Sequence, residues 1–134
     1  MTPEQLLYSK THEWVHVETD SSGTKTATVG LSAFALDLLT DLVFVELPEV
    51  GRAVSAGEPF GEIESVKAVS DLYSPVDGQI AEVNGPIVEK LETLAEDPYG
   101  AGWLVKIKVS DDAGLADLFA FAAYRKQCEE ESQH

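Results

Sequence analysis

Residues 61–78 read GEIESVKAVSDLYSPVDG and place one lysine, Lys67, between two runs that are typical of β-strands. Apolar side chains stand on both sides of this lysine, at Phe60, Ile63, Val66, Val69 and Leu72. Ser74-Pro75 and Asp77-Gly78 then end the second run with residues that favour turns. The segment therefore predicts a β-hairpin whose turn carries Lys67. A lysine in that position is accessible to other proteins and is well placed to be modified.

The composition predicts one globular domain over residues 1–134, since the chain is 44% hydrophobic and 25% charged. No apolar run approaches the roughly 18 residues of a membrane-spanning helix. The 9 basic and 24 acidic residues give a formal net charge of -15, which disfavours binding to nucleic acid or to anionic membranes. The start Met-Thr-Pro-Glu lacks the basic and apolar regions of a targeting segment, which predicts a cytoplasmic protein. A mitochondrial matrix protein whose transit peptide has been removed would look the same.

Alternating and β-branched runs predict a mainly β fold. Besides the lysine hairpin, such runs lie at residues 14–18, 24–29, 43–47, 79–83 and 103–109. Turn residues cluster between them, at 20–23, 50–51 and 56–57. Many short strands separated by Gly and Pro are typical of a small sandwich or barrel.

Helical patterns occupy the periphery of this β pattern. Ser32 can cap a short helix that ends at Leu39. One apolar face is expected for it, made of Leu31, Phe34, Ala35 and Leu38. Apolar residues at helical spacing from Ile87 to Leu94 predict a second helix, and Pro86 suits its first turn.

The C-terminal segment predicts one continuous helix from about Ala113 to about Cys128, because no Gly or Pro lies between Leu115 and Gln127. Asp111 or Asp112 could cap it. The core-facing stripe would consist of Leu115, Leu118, Phe119 and Ala122. Residues 129–134 predict a frayed polar tail.

Several motifs resemble one protein family in the same order along the chain. Glu64-Ser65-Val66-Lys67-Ala68, followed by Ser70-Asp71-Leu72, resembles the lipoylation site of the glycine cleavage system H-protein family. The other matches are His12-Glu13-Trp14-Val15, Val43-Phe44-Val45-Glu46-Leu47-Pro48 with Gly51, Glu82-Val83-Asn84, and Asp97-Pro98-Tyr99-Gly100 with Gly102-Trp103-Leu104. Together they cover roughly residues 6–126.

The resemblance implies a fold and a set of site residues. The fold is a barrel-sandwich hybrid of the lipoyl/biotinyl type, mainly β with peripheral helices and a C-terminal helix. Lys67 matches the lysine that carries lipoate in amide linkage. The residues implied in recognition of the hairpin are Glu64, Ser65, Val66, Ala68 and Asp71. Glu13 and Asp71 are implied in the cleft that shelters the loaded lipoyl arm.

The role implied by the resemblance is that of a carrier protein and not of an enzyme. In the family, a pyridoxal-phosphate glycine decarboxylase (P protein) transfers an aminomethyl group to lipoate and releases carbon dioxide. An aminomethyltransferase (T protein) passes the one-carbon unit to tetrahydrofolate, and dihydrolipoamide dehydrogenase (L protein) reoxidises the dithiol. Lipoate-attaching enzymes are further implied partners. The residues agree, since the sequence contains no G-x-S-x-G motif and no phosphate-binding loop.

Other functions fit parts of the sequence. Biotinylated hairpins usually carry Met on both sides of the lysine, and lipoyl domains of 2-oxoacid dehydrogenases typically carry Asp before it, whereas this chain has Val66 and Ala68. An H-like protein that relays lipoate to other carriers would share the motifs. A binding module with an unmodified lysine is a further alternative.

A zinc hydrolase is the third alternative, because His12-Glu13-Trp14-Val15-His16 matches the H-E-x-x-H pattern. That chemistry requires a helix, which places both histidines on one face. Residues 14–17 favour a strand, and a strand would separate the two histidines by about 13 Å. We therefore predict that the chain holds no zinc.

Three departures from the family pattern lie outside the lysine hairpin. Phe34 stands where many members have Tyr or His, which removes a polar side chain from the implied cleft. Leu91 and Ala95 stand where Pro and Asn are common, which predicts a more helical segment before Asp97-Pro98. Ala120 replaces a usual helix-capping Asp.

Overall fold

The computed structural model describes residues 3–39, 41–111, 115 and 118–132. The strands among these residues are β1 (Leu7–Tyr8), β2 (Glu13–Thr19), β3 (Lys25–Leu31), β4 (Leu42–Glu46), β5 (Ala53–Val54), β6 (Pro59–Ser65), β7 (Val69–Tyr73), β8 (Asp77–Val83), β9 (Val105–Asp111) and β10 (Phe119–Ala120). The helices are α1 (Ala33–Leu39), α2 (Glu92–Glu96) and α3 (Phe121–Ser132). Short 3-10 helices lie at Pro3–Gln5 and Gly85–Val88. None of the helices in the described ranges is long and apolar enough to cross a membrane.

The described strands form two antiparallel sheets. The larger sheet has the order β10-β1-β2-β3-β9-β8-β5, and the smaller has the order β4-β6-β7. This arrangement confirms the mainly β prediction, and with the C-terminal helix it matches the barrel-sandwich hybrid that the resemblance implied. The lysine hairpin is made of β6 and β7, so it belongs to the small sheet.

Local sequence explains the turns between strands. The N-terminal hairpin pairs β2 with β3 from Glu13↔Leu31 to Thr19↔Lys25. Its turn is closed by the Asp20 carboxylate, which accepts a hydrogen bond from the Ser22 N–H at 2.9 Å, and by Gly23 at a φ of 89°. The positive φ is one that glycine adopts without steric cost. These observations confirm the predicted strands and turn.

The main core contains buried side chains from both sheets, including Val15, Ala27, Val29, Val45, Phe60, Ile63, Leu72 and Ile107. A separate cluster joins the N-terminal segment to α3 and contains Leu6, Tyr8, Trp14 and Tyr124. The hydrophobic effect therefore holds the C-terminal helix against the start of the chain, at a place distinct from the main core.

The predicted helix α1 is confirmed, and its predicted apolar face is right at Leu31 and Ala35 but wrong at Leu38. Ser32 caps it, because the Ser32 hydroxyl accepts the Ala35 N–H at 3.2 Å. Ala35 and Leu36 are the buried positions, whereas Leu38 is 67% exposed. Leu36, which was not predicted on this face, is buried in place of Leu38.

The single helix predicted from Ile87 to Leu94 is also wrong. The chain forms a 3-10 helix at Gly85–Val88 and then α2 at Glu92–Glu96. Ile87 and Leu94 are both buried in the main core. Tertiary packing at these two positions thus overrides the local helical pattern. The helical conformation of residues 92–96 agrees with the more helical segment that was predicted from Leu91 and Ala95.

The continuous C-terminal helix is corrected as well. Phe119–Ala120 forms β10, which pairs with β1 through Leu7↔Ala120 and Tyr8↔Phe119. The helix begins only at Phe121, because backbone pairing to β1 occupies the two residues before it. It continues to Ser132, so residues 129–132 are helical and not a frayed tail. Residues 112–114, 116–117 and 133–134 of these predictions lie outside the described residues.

Candidate functional site

Lys67 lies at the centre of the three-residue turn, from Val66 to Ala68, that joins β6 to β7. The last paired residues of the two strands are Glu64↔Val69. The Ser65 N–H donates to the Ala68 carbonyl at 2.8 Å and closes the turn. Val66, Lys67 and Ala68 are exposed, which confirms the predicted hairpin geometry and presents the lysine amine outside the sheet.

Two further sets of bonds fix the backbone of this turn. Ser65 is buried, and its hydroxyl accepts the Ala68 N–H at 3.1 Å and donates to the Ala68 carbonyl at 3.3 Å. The Val66 N–H donates to the carbonyl of Asp41, 3.1 Å away. Ser65 therefore positions the turn from inside and offers little surface to a partner. The lysine stands on a rigid base.

The outer face of the small sheet is acidic and apolar beside the lysine. Residues directly opposite each other on paired strands share a face. One row across the sheet is Phe44, Glu64 and Val69, and the next is Glu46, Glu62 and Asp71. Phe44 and Val69 are 43% and 62% exposed. Glu64 and Asp71 thus lie on one surface with further carboxylates and exposed apolar side chains.

Glu13, the first residue of β2, is a buried carboxylate held by several donors. It is 1% exposed. Ser9 donates its hydroxyl to Oε1 at 2.7 Å, and Thr11 donates to the same oxygen. The Tyr73 N–H lies 3.4 Å from Oε2. Burial raises the pKa of Glu13 to about 7, against the lowering effect of these hydrogen bonds.

A small cleft connects Glu13 with the lysine hairpin. Its volume is about 120 Å³. We call it the arm cleft, and its lining consists of Thr11, His12, Glu13, Leu31, Ala35, Leu38, Leu39, Ile63, Ser70, Asp71 and Leu72. Both residues implied for the cleft, Glu13 and Asp71, therefore line the same space. Ser70 follows Lys67 by three residues, so the cleft begins within about 10 Å of the lysine backbone.

Two larger cavities fit the chemistry of the lysine less well. A cavity of about 650 Å³ lies on the other side of Thr11, against Tyr73, Pro75 and Phe119, and it lacks the Glu13 side chain. A groove of about 550 Å³, the acidic groove, flanks the turn near Asp41, Glu89 and Glu92. The arm cleft is smaller than either, but among the three only its lining joins residues of β7 to the buried carboxylate.

Comparison with known proteins identifies the family. The family model described as "Glycine cleavage H-protein" matches residues 6–131. The chain belongs to the glycine cleavage H-protein family. A glycine cleavage system H protein from Rubrobacter xylanophilus is 52% identical over 129 residues, with 96% of each chain covered. One from Rhodopirellula baltica is 51% identical, also with 96% of each chain covered.

A solved structure agrees with these sequence comparisons. The crystal structure of a glycine cleavage system H protein from Mycobacterium marinum has a TM-score of 0.84 and is 42% identical. The match covers 94% of this chain and 98% of that one. The family and the fold predicted from the sequence are thus confirmed, and the H-protein family is one of carriers in glycine cleavage and not of enzymes.

The two histidines of the H-E-x-x-H pattern make separate contacts in this H-protein chain. His12 precedes β2 and His16 lies within it, so the predicted strand is confirmed. The His12 Nδ1 lies 2.7 Å from the Tyr124 hydroxyl, whereas the His16 Nε2 lies 3.5 Å from a Glu18 carboxylate oxygen. Among the described residues, no group of three or more His, Cys, Asp or Glu side chains could hold a metal ion.

Sequence reasoning missed the residues that hold Glu13. It took Glu13 as part of the cleft by resemblance, and the structure adds Ser9, Thr11 and the Tyr73 backbone. A signal for the first two was present, because hydroxyl residues at alternate positions before a strand-start glutamate can point to the same side. The Tyr73 contact crosses sixty residues and had no local signal.

Proposed function

We propose that this chain is the lipoyl-bearing carrier of the glycine cleavage system, with lipoate in amide linkage on the Nζ of Lys67. The observation that carries the proposal is the exposed Lys67 turn beside the arm cleft, within a motif that matches the family. When attached, lipoate supplies the disulfide and dithiol that accept and release an aminomethyl group. The residues present fit it, since an exposed amine is available and the turn beneath it is fixed by Ser65 and Asp41.

The arm cleft is suited to a long apolar arm that ends in a cationic amine. Its walls are apolar at Leu31, Ala35 and Ile63. Its polar groups include the carboxylates of Glu13 and Asp71, which attract a positive charge. A site that excludes water protects a labile adduct from hydrolysis. In this proposal Glu13 and Asp71 orient the amine, while the apolar walls exclude water from the arm.

The surface around Lys67 is suited to brief recognition by several enzymes. Glu64 and Asp71 lie in the acidic rows of the small sheet, and Val66 and Val69 expose apolar surface beside them. Carboxylates directly opposite each other on paired strands destabilise a sheet, so a basic partner surface would relieve this repulsion. Val66 and Ala68 would contact the lipoate-attaching enzyme, whereas the buried Ser65 would act by shaping the turn.

The proposed partners are the glycine decarboxylase, the aminomethyltransferase, the dihydrolipoamide dehydrogenase and the lipoate-attaching enzymes. A tethered arm raises the effective concentration of the carried group at each active site. We also infer that the chain acts as one carrier domain in the cytoplasm, and the support for this location is the bacterial origin of the relatives named above.

The proposal is tested by reconstitution with purified enzymes. The chain is lipoylated in vitro, its peptides are mapped by mass spectrometry, and the product is supplied to the decarboxylase and aminomethyltransferase with glycine and tetrahydrofolate. We expect lipoate on Lys67 alone and glycine-dependent release of carbon dioxide and ammonia. Lipoylation without turnover, together with transfer of lipoate to another carrier, would instead establish the relay function.

A further inference from the structure

The loop between β1 and β2 is held from two sides. On its inner side, the Ser9 and Thr11 hydroxyls donate to the Glu13 carboxylate. On its outer side, the side-chain amide of Gln127 in α3 donates to the Lys10 carbonyl at 2.9 Å. One short loop therefore connects the C-terminal helix to the carboxylate of the arm cleft.

His12, the last residue of this loop, makes the same connection through its side chain. Its φ is 77°, a left-handed conformation that a non-glycine residue keeps only where its neighbours hold it. The His12 carbonyl accepts the Ser32 N–H at 2.9 Å. Its ring nitrogens lie 2.7 Å from the Tyr124 hydroxyl and 3.1 Å from the Glu131 carboxylate. Two side chains of α3 thus hold a ring that lines the arm cleft.

The Tyr124 hydroxyl lies at the centre of this network. It is 2.6 Å from the Ser32 hydroxyl as well as in contact with His12. A hydroxyl has one proton, so with neutral His12 the bonds run in one direction: Ser32 donates to Tyr124, and Tyr124 donates to the Nδ1 of His12. The Nε2–H of the same tautomer then donates to Glu131. Each of these polar atoms has a partner in a consistent chain of donors.

We propose that Tyr124, Gln127 and Glu131 of α3 are positioning residues for the arm cleft. They hold the loop between β1 and β2, and through it the Glu13 carboxylate, in the geometry that shelters the loaded arm. This inference rests on the proposed function for its biological meaning, but the contact between helix and cleft can be tested without lipoate. The C-terminal helix, which is far from the hairpin motif in the sequence, would then contribute to the same site.

The test compares two tyrosine variants in the unlipoylated protein. Tyr124→Phe keeps the ring, which stacks on Tyr8 at 4.3 Å, and removes the hydroxyl between Ser32 and His12. Tyr8→Phe is the matched control, because it removes a buried hydroxyl of the same cluster that donates to the Pro3 carbonyl at 2.7 Å. Tyr124→Phe loses two hydrogen bonds, to Ser32 and to His12 of the loop, whereas Tyr8→Phe loses the bond to Pro3, which lies outside the loop.

The readout is the titration of the Glu13 carboxyl, followed by NMR. We expect Tyr124→Phe to lower the pKa of Glu13 from about 7 towards that of a solvated glutamate, since a loosened loop lets water reach the carboxylate. Tyr8→Phe should leave the pKa of Glu13 unchanged. A Glu13 pKa that is unchanged or raised in Tyr124→Phe, or lowered as much in Tyr8→Phe, would overturn the proposal.

Two additions keep the test decisive. If Tyr124→Phe does not fold, Gln127→Met removes the donor to Lys10 from the helix surface and should lower the same pKa, and no change in it would overturn the proposal. In the lipoylated and aminomethyl-loaded protein, Tyr124→Phe should release the aminomethyl group about threefold to tenfold faster than Tyr8→Phe, the equivalent of one hydrogen bond. The pKa of Glu13 could shift as expected while the unsubstituted chain fails to slow the loss of the aminomethyl group. That result would refute the proposed function but would leave the positioning role standing.

Discussion

The turn that carries Lys67 and the wall that carries Glu13 are built in opposite ways. Lys67 is exposed on a three-residue turn whose backbone is held by hydrogen bonds. Glu13 is 1% exposed, and its carboxylate receives hydrogen bonds from two side chains and one backbone N–H. The first region is arranged for access and the second for the exclusion of water.

This difference teaches how a carrier without catalytic groups can serve several enzymes. In the proposed function, the modified side chain must enter other active sites, so it needs an accessible base and a long arm. Glu13, which we propose protects the cargo between visits, is instead buried and held by hydrogen-bond donors. We therefore expect substitutions in the two regions to have different effects.

The largest effect is expected from Lys67→Arg, which would remove modification altogether. The guanidinium stays protonated and cannot act as the acyl acceptor, whereas the lysine amine can. Intact-mass measurement after treatment with a lipoate-attaching enzyme should show no added lipoyl group. Lys90→Arg, at another exposed lysine, is the control and should be fully modified. A lipoyl group on the Lys67→Arg protein would place the site elsewhere.

Glu13→Gln should change how stability depends on pH. The folded pKa of about 7 lies above the ordinary glutamate value of 4.5, so the stabilisation from the bound proton is complete below about pH 4.5 and is lost as the pH rises through 7. The loss is about 3 kcal/mol, because one pKa unit corresponds to about 1.4 kcal/mol. The free energy of unfolding, measured in urea, should fall by about 3 kcal/mol between pH 4.5 and pH 8 because of Glu13. This contribution should be absent in Glu13→Gln.

The matched control for this change is Asp71→Asn, an exposed carboxylate of the same cleft. It should retain the difference between the two pH values, because Glu13 remains buried and ionisable. An equal change in both variants would contradict the contrast between a buried wall and an accessible hairpin.

A smaller effect is expected from Ser65→Ala, which tests whether the base of the lysine turn is rigid. The variant loses the bonds from the Ser65 hydroxyl to Ala68 and should be less stable by about 1 kcal/mol. Lipoylation should become slower but should still reach completion, because Lys67 is retained. Ser70→Ala, an exposed serine of the same hairpin, should be modified at the normal rate. Equal rates in the two variants would argue against a positioning role for Ser65.

The smallest effect is expected from Ala120→Asp at the start of α3. Ala120 precedes the first helical residue and is a poor N-cap, whereas Asp can accept the orphan N–H groups of the first turn. Thermal unfolding should show a gain of about 0.5–1 kcal/mol. Ala120→Asn should give a similar gain if the effect is capping and not charge. A loss of stability in both variants would mean that the pairing of β10 with β1 is incompatible with a capping side chain at position 120.

The hairpin could be predicted from the sequence because its signals are local. Lys67 lies between alternating strands, and Ser74-Pro75 ends the second one, so neighbouring residues determine the turn. The family motifs added Glu13 and Asp71 to the cleft, and both line it. The roles of these residues remain a prediction until they are tested.

The C-terminal segment could not be predicted, because distant contacts determine it. Phe119 and Ala120 favour a helix locally but pair with Tyr8 and Leu7 from the start of the chain. The burial of Glu13 was hidden for the same reason, since the Tyr73 N–H that faces it comes from another strand. Propensity describes neighbours in sequence, and these positions are governed by neighbours in space.

The most direct test of the account is an NMR map of the lipoylated chain before and after aminomethyl loading. We expect the largest amide shift changes in the arm cleft, at Thr11, Leu31 and Ser70. The acidic groove on the other side of the turn, at Glu89 and Leu91, should change little. Changes concentrated in the acidic groove, with the arm cleft unaffected, would contradict the claim that Glu13 and its cleft shelter the arm on Lys67.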